Sequence, residues 1–68
     1  MAALLKKRSF TLAGHRTSVA LEPEFWAVLE RAAHKKGQSM AGFVGVIDAA
    51  RGTRALASAL RLAALNHG

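Results

Sequence analysis

The chain has 68 residues and contains no cysteine. This length allows one small domain, and a core of this size commonly needs support from disulfides, a metal or a partner chain. Disulfides and thiolate metal sites are excluded by the absence of cysteine. We therefore expect self-association into an oligomer, since it is the form of support that stays available.

The basic residues are unevenly distributed along the chain. Ten Lys and Arg residues against four Asp and Glu residues give a formal net charge of +6. Every acid lies at or after Glu22, whereas Lys6, Lys7, Arg8 and Arg16 precede it. In a dimer, two such segments would create a positive field suited to a nucleic acid. A general gain in solubility explains the same composition, so charge alone leaves both interpretations open.

The sequence shows no sign of a membrane association. Its apolar runs are far shorter than the roughly 18 residues of a membrane-spanning helix. The first five residues are too short for the apolar part of a signal peptide. We therefore expect a cytoplasmic protein with no membrane partner.

The first 14 residues are the hardest to interpret. Residues 1–8 indicate a flexible basic N-terminal arm, and residues 9–68 a single domain. Residues 9–12 alternate polar and apolar side chains, but Ala13 and Gly14 interrupt the alternation. The apolar positions then change from even to odd numbers, which requires a bend or bulge at Gly14. Whether residues 9–12 fold back or pair with the strand of a partner stays open.

Residues 15–21 predict one short strand, because apolar and polar side chains alternate. The core-facing positions are Thr17, Val19 and Leu21, and the solvent-facing positions are Arg16, Ser18 and Ala20. A single strand cannot satisfy its own backbone groups, and two copies of it can pair across a two-fold axis.

Three helices follow, predicted over residues 23–36, 39–51 and 54–66. Pro23 suits the first turn of a helix and Gly37 a left-handed stop. Ser39 is a good cap for the second helix, and Thr53 for the third. The apolar stripes are Phe25, Trp26 and Leu29, then Phe43, Val44 and Ile47, then Leu56, Ala59, Leu60 and Ala63. Leu62 and Leu65 lie off the third stripe and are candidates for contact with a partner.

The residue pattern does not favour catalysis. There is no cysteine or tyrosine, and neither a glycine-rich phosphate loop nor an evident pair of acids is present. His15, His34 and His67 are too scattered to form a metal pair by spacing. We expect no enzymatic activity, no catalytic residue, no metal and no cofactor.

The order of strand, proline-initiated helix, glycine–polar–serine turn and second helix resembles the ribbon-helix-helix family of bacterial DNA-binding proteins. The match rests on Arg16-Thr17-Ser18-Val19-Ala20-Leu21, Glu22-Pro23-Glu24-Phe25-Trp26, Lys36-Gly37-Gln38-Ser39, and Phe43, Val44 and Ile47. The flanking Lys7-Arg8-Ser9 and Ala57-Ser58-Ala59-Leu60-Arg61 are similar to a subgroup with an additional C-terminal helix.

The resemblance implies a mainly α fold with one short strand per chain, built as an intertwined homodimer. The two strands would pair antiparallel between chains as a ribbon in the major groove of double-stranded DNA. The implied activity is that of a sequence-specific transcriptional regulator, and of a repressor in particular. As an alternative, a dimer of this kind could be an interaction module that binds a protein partner through the third helix, as antitoxin-like members do.

The resemblance also assigns site residues by position. Base contacts are implied for Arg16, Ser18 and Ala20. Phosphate contacts are implied for Ser39, Met40 and Ala41, and the basic arm adds Lys6, Lys7 and Arg8. The dimer core would contain Val19, Leu21, Phe25, Trp26, Leu29, Phe43, Val44 and Ile47. Ala20 departs from the family pattern, which usually has a longer polar side chain there, and it offers a base only a methyl contact.

Overall fold

A computed structural model describes residues 4–67 of the chain. Two strands and three helices follow one another in the order β1 (Lys6–Leu12), β2 (His15–Leu21), α1 (Pro23–Lys35), α2 (Met40–Ala50) and α3 (Leu56–His67).

The strands β1 and β2 form an antiparallel hairpin with a two-residue turn. Leu12 lies opposite His15, and the residues between them, Ala13 and Gly14, have φ angles of 50° and 81°. Two left-handed residues in this position are typical of a type I′ turn, whose twist matches that of the strands. Residues 9–12 therefore fold back on the same chain, and the change of apolar parity at Gly14 marks the turn.

Two expectations from the sequence are corrected by this hairpin. Residues 4–67 contain two strands instead of one, and Lys6, Lys7 and Arg8 belong to β1 instead of a flexible arm. The physical reason is a contact distant in sequence, because the indole nitrogen of Trp26 donates a 2.7 Å hydrogen bond to the carbonyl of Lys6. Residues 1–3 of the predicted arm lie outside the described residues.

Local signals set the ends of the first two helices. The chain enters α1 at Pro23 and leaves it at Gly37, whose φ is +66°. Ser39 caps α2, since its Oγ accepts a 3.0 Å hydrogen bond from the backbone N–H of Gly42. Both helices end within one residue of their expected limits.

The third helix begins later than the sequence suggested, at Leu56 instead of Arg54. Residues 51–54 form a turn in which the backbone N–H of Arg54 donates to the carbonyl of Arg51 over 3.1 Å. The guanidinium of Arg51 in turn bonds the carbonyl of Arg54 at 2.7 Å, and Gly52 adopts a φ of +62°. Thr53 lies inside this turn and is not the helix cap.

The core lies between one face of the hairpin and the three helices. Its most buried side chains, all 0% exposed, are Leu21, Leu29, Val44 and Leu60. Of the eight residues predicted for a dimer core, six are buried within the single chain, while Phe25 and Ile47 are half-buried against it. Over residues 4–67, no helix has the length and apolar character needed to cross a membrane.

Candidate nucleic-acid interface

One face of the hairpin is turned away from the helices. The register pairs Lys7 with Ala20, Ser9 with Ser18, and Thr11 with Arg16. Directly opposite residues in an antiparallel pair project to the same side, so these six residues form one surface, called the outer face below. All six are exposed except Ala20, which is half-buried. The opposite, inner face carries the buried Phe10, Leu12, Val19 and Leu21.

The outer face is basic and hydroxyl-rich, and it contains no acid. Within the described residues, neither Arg16 nor Lys7 takes part in a side-chain hydrogen bond or an ion pair. The Oγ atoms of Ser9 and Ser18 are 2.9 Å apart and share a hydrogen bond. The face therefore presents two uncommitted cations beside a pair of linked hydroxyl groups.

Arg8 lies on the inner side of β1. Its Nη1 donates to Oε1 of Glu30 at 2.6 Å, and its guanidinium carbon is 5.2 Å from the ring centre of Trp26. Lys6 lies opposite the buried Leu21 and therefore projects to the same side as Arg8. Of the three basic residues assigned to the arm, the structure thus brings only Lys7 onto the face that contains Arg16.

One edge of β2 is open. A two-residue hairpin makes Leu12 and His15 a hydrogen-bonded pair, and every second pair along the ladder is then of the same kind. The backbone groups of Arg16, Ser18 and Ala20 consequently point away from β1. In the part of the chain that the structure describes, no other backbone group bonds to this edge. Such an edge is ready to pair with another strand.

A second anion-binding feature lies at the start of α2. The first N–H groups of any helix have no partner within it, and they carry the positive end of its dipole. Ser39 and Ala41 are exposed and Met40 is half-buried, so these N–H groups are accessible from solvent. The Ser39 hydroxyl group is already engaged with the N–H of Gly42, which leaves the earlier N–H groups for a ligand.

Ser9 and Thr11 are outer-face residues that the sequence did not assign to a site. Their alternation with Phe10 and Leu12 is visible in the sequence. The missing information was that β1 folds back onto β2 in the register that aligns Ser9 with Ser18.

A family model described as a ribbon-helix-helix domain matches residues 5–67 of the chain. The chain belongs to the ribbon-helix-helix family. Members of this family are generally DNA-binding transcription regulators, and they typically dimerise. No curated protein and no solved structure matches the chain significantly.

In this ribbon-helix-helix protein, the hairpin limits how a ribbon between two chains can form. β1 occupies one edge of β2, so only the other edge of β2 can pair with a second copy. The residues whose backbone groups line that edge, Arg16, Ser18 and Ala20, also project their side chains from the outer face. Pairing there would place the outer faces of two chains side by side.

Proposed function

We propose that the protein is a homodimeric transcription regulator, acting as a repressor, that binds specific sequences of duplex DNA through its outer face. The observation that carries the proposal is the exposed Arg16 on an acid-free strand face, without an ion-pair partner among the described residues. The family supports it, because its members are generally DNA-binding regulators.

The proposed dimer pairs β2 with β2 of a second copy through the open edge. A register centred on Ser18 pairs all seven residues of the strand, since Ser18 is its fourth residue. With β1 on each side, the result is a four-stranded antiparallel sheet. The two central strands are then the ribbon between chains that the family resemblance implies.

Exposed apolar side chains also favour self-association. Val46 on α2 is 59% exposed and Leu62 on α3 is 42% exposed, and both border a groove between these helices. Ile47 borders the same groove and is half-buried. A second copy that covers these side chains would remove apolar surface from water, which is the dominant force in stable homodimers.

Arg16 is the principal base-reading residue in this proposal. A guanidinium can donate two hydrogen bonds to the O6 and N7 atoms of guanine, which distinguishes guanine from other bases. Ser18 discriminates little, and its hydroxyl group is already shared with Ser9. Ala20 can offer only a contact to a thymine methyl group. Sequence preference should therefore depend mostly on Arg16.

The start of α2 supplies the proposed phosphate clamp. The N–H groups of Met40 and Ala41 and the helix dipole favour an anion there. Contacts of this type fix the position of a protein on the duplex without reading its sequence. Ser39 contributes by holding the first turn in place through its cap on Gly42.

Titration of duplex DNA at several salt concentrations tests the proposal. Release of counterions predicts that log K falls linearly with log salt, at a slope near −0.9 per neutralised phosphate. Arg16→Ala should reduce the preference for a selected site more than it reduces binding to random DNA. Arg31→Ala, an exposed arginine on α1, is the matched control and should retain the preference. Absence of binding at low salt would contradict the function.

A second candidate function is a protein-interaction module that uses α3. Leu65 is 67% exposed and Leu62 42% exposed in the single chain. Because the chain has no cysteine, Leu65→Cys introduces a unique thiol whose labelling reports exposure in the assembled protein. Rapid labelling would support a free surface on α3, whereas protection in the homodimer would remove the reason for this candidate.

A further inference from the structure

The outer face extends beyond the strand that forms the ribbon. Lys7, Ser9 and Thr11 of β1 lie opposite Ala20, Ser18 and Arg16, and all three are exposed. A DNA duplex that meets β2 through the outer face therefore also meets β1.

The widths of the sheet and the groove decide what β1 would contact. Strands lie about 4.8 Å apart, so in the proposed dimer β2 is about 2.4 Å from the two-fold axis and β1 about 7 Å from it. The major groove is about 12 Å wide, which places its edges about 6 Å from the same axis. The central strands fit inside the groove. β1 lies over its rim, where the phosphates are.

The side chains of β1 suit that position. Lys7 is a long, flexible cation without an ion-pair partner among the described residues, and Ser9 and Thr11 are hydroxyl donors. Lysine binds phosphate as a point charge and needs little geometric precision. The small side chain of Ala20, directly opposite Lys7, leaves the ammonium group unobstructed on the β2 side.

We infer that β1 is a phosphate-contacting strand, in which Lys7 binds the DNA backbone at the rim of the groove and Thr11 and Ser9 add hydroxyl contacts. The inference rests on the proposed DNA-binding function. It separates Lys7 from its neighbours, because Lys6 projects to the inner side and Arg8 is held there by Glu30 at 2.6 Å. A flexible basic arm would make no such distinction.

The test compares Lys7→Ala with Lys6→Ala, which remove the same charge from adjacent positions of the same strand. A dimer loses two phosphate contacts in Lys7→Ala, so the magnitude of the salt slope should fall by about 1.8. The affinity advantage of the wild type over Lys7→Ala should then shrink by about tenfold between 50 and 200 mM salt, as that slope requires. Lys6→Ala should keep the wild-type slope.

The readings of this experiment separate the two proposals. If Lys7→Ala and Lys6→Ala have the same salt slope, whether lowered or unchanged, the assigned role of β1 is wrong. Binding of duplex DNA by the wild type would still uphold the DNA-binding function. Failure of the wild type to bind duplex DNA at low salt would overturn both. A selected site should be preferred equally by Lys7→Ala and wild type, since phosphate contacts carry no sequence information, and a lost preference would also overturn the assignment. Thermal unfolding of each variant confirms that it is folded.

Discussion

The indole nitrogen of Trp26 donates a 2.7 Å hydrogen bond to the backbone carbonyl of Lys6, which joins α1 to the first residue of β1. The Trp26 side chain is 4% exposed, and its ring centre is 5.9 Å from that of Phe10. The guanidinium of Arg8 lies 5.2 Å from the centre of the indole ring. Trp26 thus adds contacts from α1 to a basic segment that is also paired with β2.

Trp26→Phe should weaken the attachment of β1. The variant keeps an aromatic ring but removes the hydrogen bond to the part-buried carbonyl of Lys6, and a hydrogen bond of this kind contributes about 0.5–1.5 kcal/mol. We expect a loss of that size in urea unfolding followed by circular dichroism at one fixed protein concentration. Relative to the wild type, amide hydrogen exchange should accelerate more in β1 than in α2. An equal acceleration of exchange in β1 and in α2 would show that Trp26 contributes to stability only by filling space in the core.

The pair formed by Glu22 and Arg61 predicts a dependence of stability on pH. A backbone hydrogen bond within Glu22 lowers the pKa of its carboxyl group, and the hydrogen bond from Arg61, 3.0 Å long, lowers it further. The ionised carboxylate is therefore favoured by folding. Its contribution is fully present above the pKa of the unfolded chain and is lost as pH falls through the folded pKa.

Glu22→Gln isolates this effect. The wild type should be more stable than the variant at pH 7, and the difference in unfolding free energy should close as the pH is lowered past the ordinary range of a glutamate. Chemical denaturation of both proteins between pH 7 and pH 3 measures it. Glu24→Gln, an exposed acid in the same helical turn, serves as the comparison. A difference in unfolding free energy between wild type and Glu22→Gln that stays constant at all pH values would contradict the prediction.

Strand β2 and the main helices were predictable because their signals are local. Alternation over residues 15–21 defines the strand, and Pro23, Gly37 and Ser39 mark helix limits by their backbone preferences. The solvent-facing side of β2, which carries the cation Arg16, follows from the same alternation. Three of the six outer-face residues, Arg16, Ser18 and Ala20, were therefore predictable from the sequence.

The other half depended on contacts that no local pattern reports. Lys6 and Arg8 have the composition of a solvated arm, and their partners Trp26 and Glu30 are 20 and 22 positions away in sequence. The turn signal was also incomplete, since Ala13 occupies a left-handed position that asparagine or glycine usually fills. Without the hairpin register, Ser9 and Thr11 could not be placed beside Ser18 and Arg16.

The hairpin turn itself offers a test by substitution. A left-handed conformation costs a residue with a Cβ about 1–2 kcal/mol, and Ala13 has a φ of 50°. Ala13→Asn should stabilise the protein by up to about 1 kcal/mol, because asparagine adopts the left-handed conformation more readily than alanine and Asn-Gly is the preferred type I′ pair. Gly14→Ala should destabilise it by about 1–2 kcal/mol. No atom lies within 4 Å of an added Cβ at Gly14, so the cost would be conformational.

Thermal or urea unfolding of the two turn variants measures these effects. Opposite signs for Ala13→Asn and Gly14→Ala are the expected result. Equal stabilities for both variants and the wild type would show that the turn does not adopt the left-handed pair, and the pairing of Lys7 with Ala20 would then need revision.

The exposed Val46 provides a test of the dimer. Fully burying an exposed valine contributes about 1.5–3 kcal/mol. Val46 is 59% exposed, so covering it adds about 1–2 kcal/mol, and two such side chains per dimer correspond to at least about 30-fold in the dissociation constant. Val46→Lys removes this gain and adds a charge that would be costly to bury. Sedimentation equilibrium should show monomers at concentrations at which the wild type is dimeric. Ala27→Lys, at an exposed position of α1, adds the same charge and should leave the dimer intact.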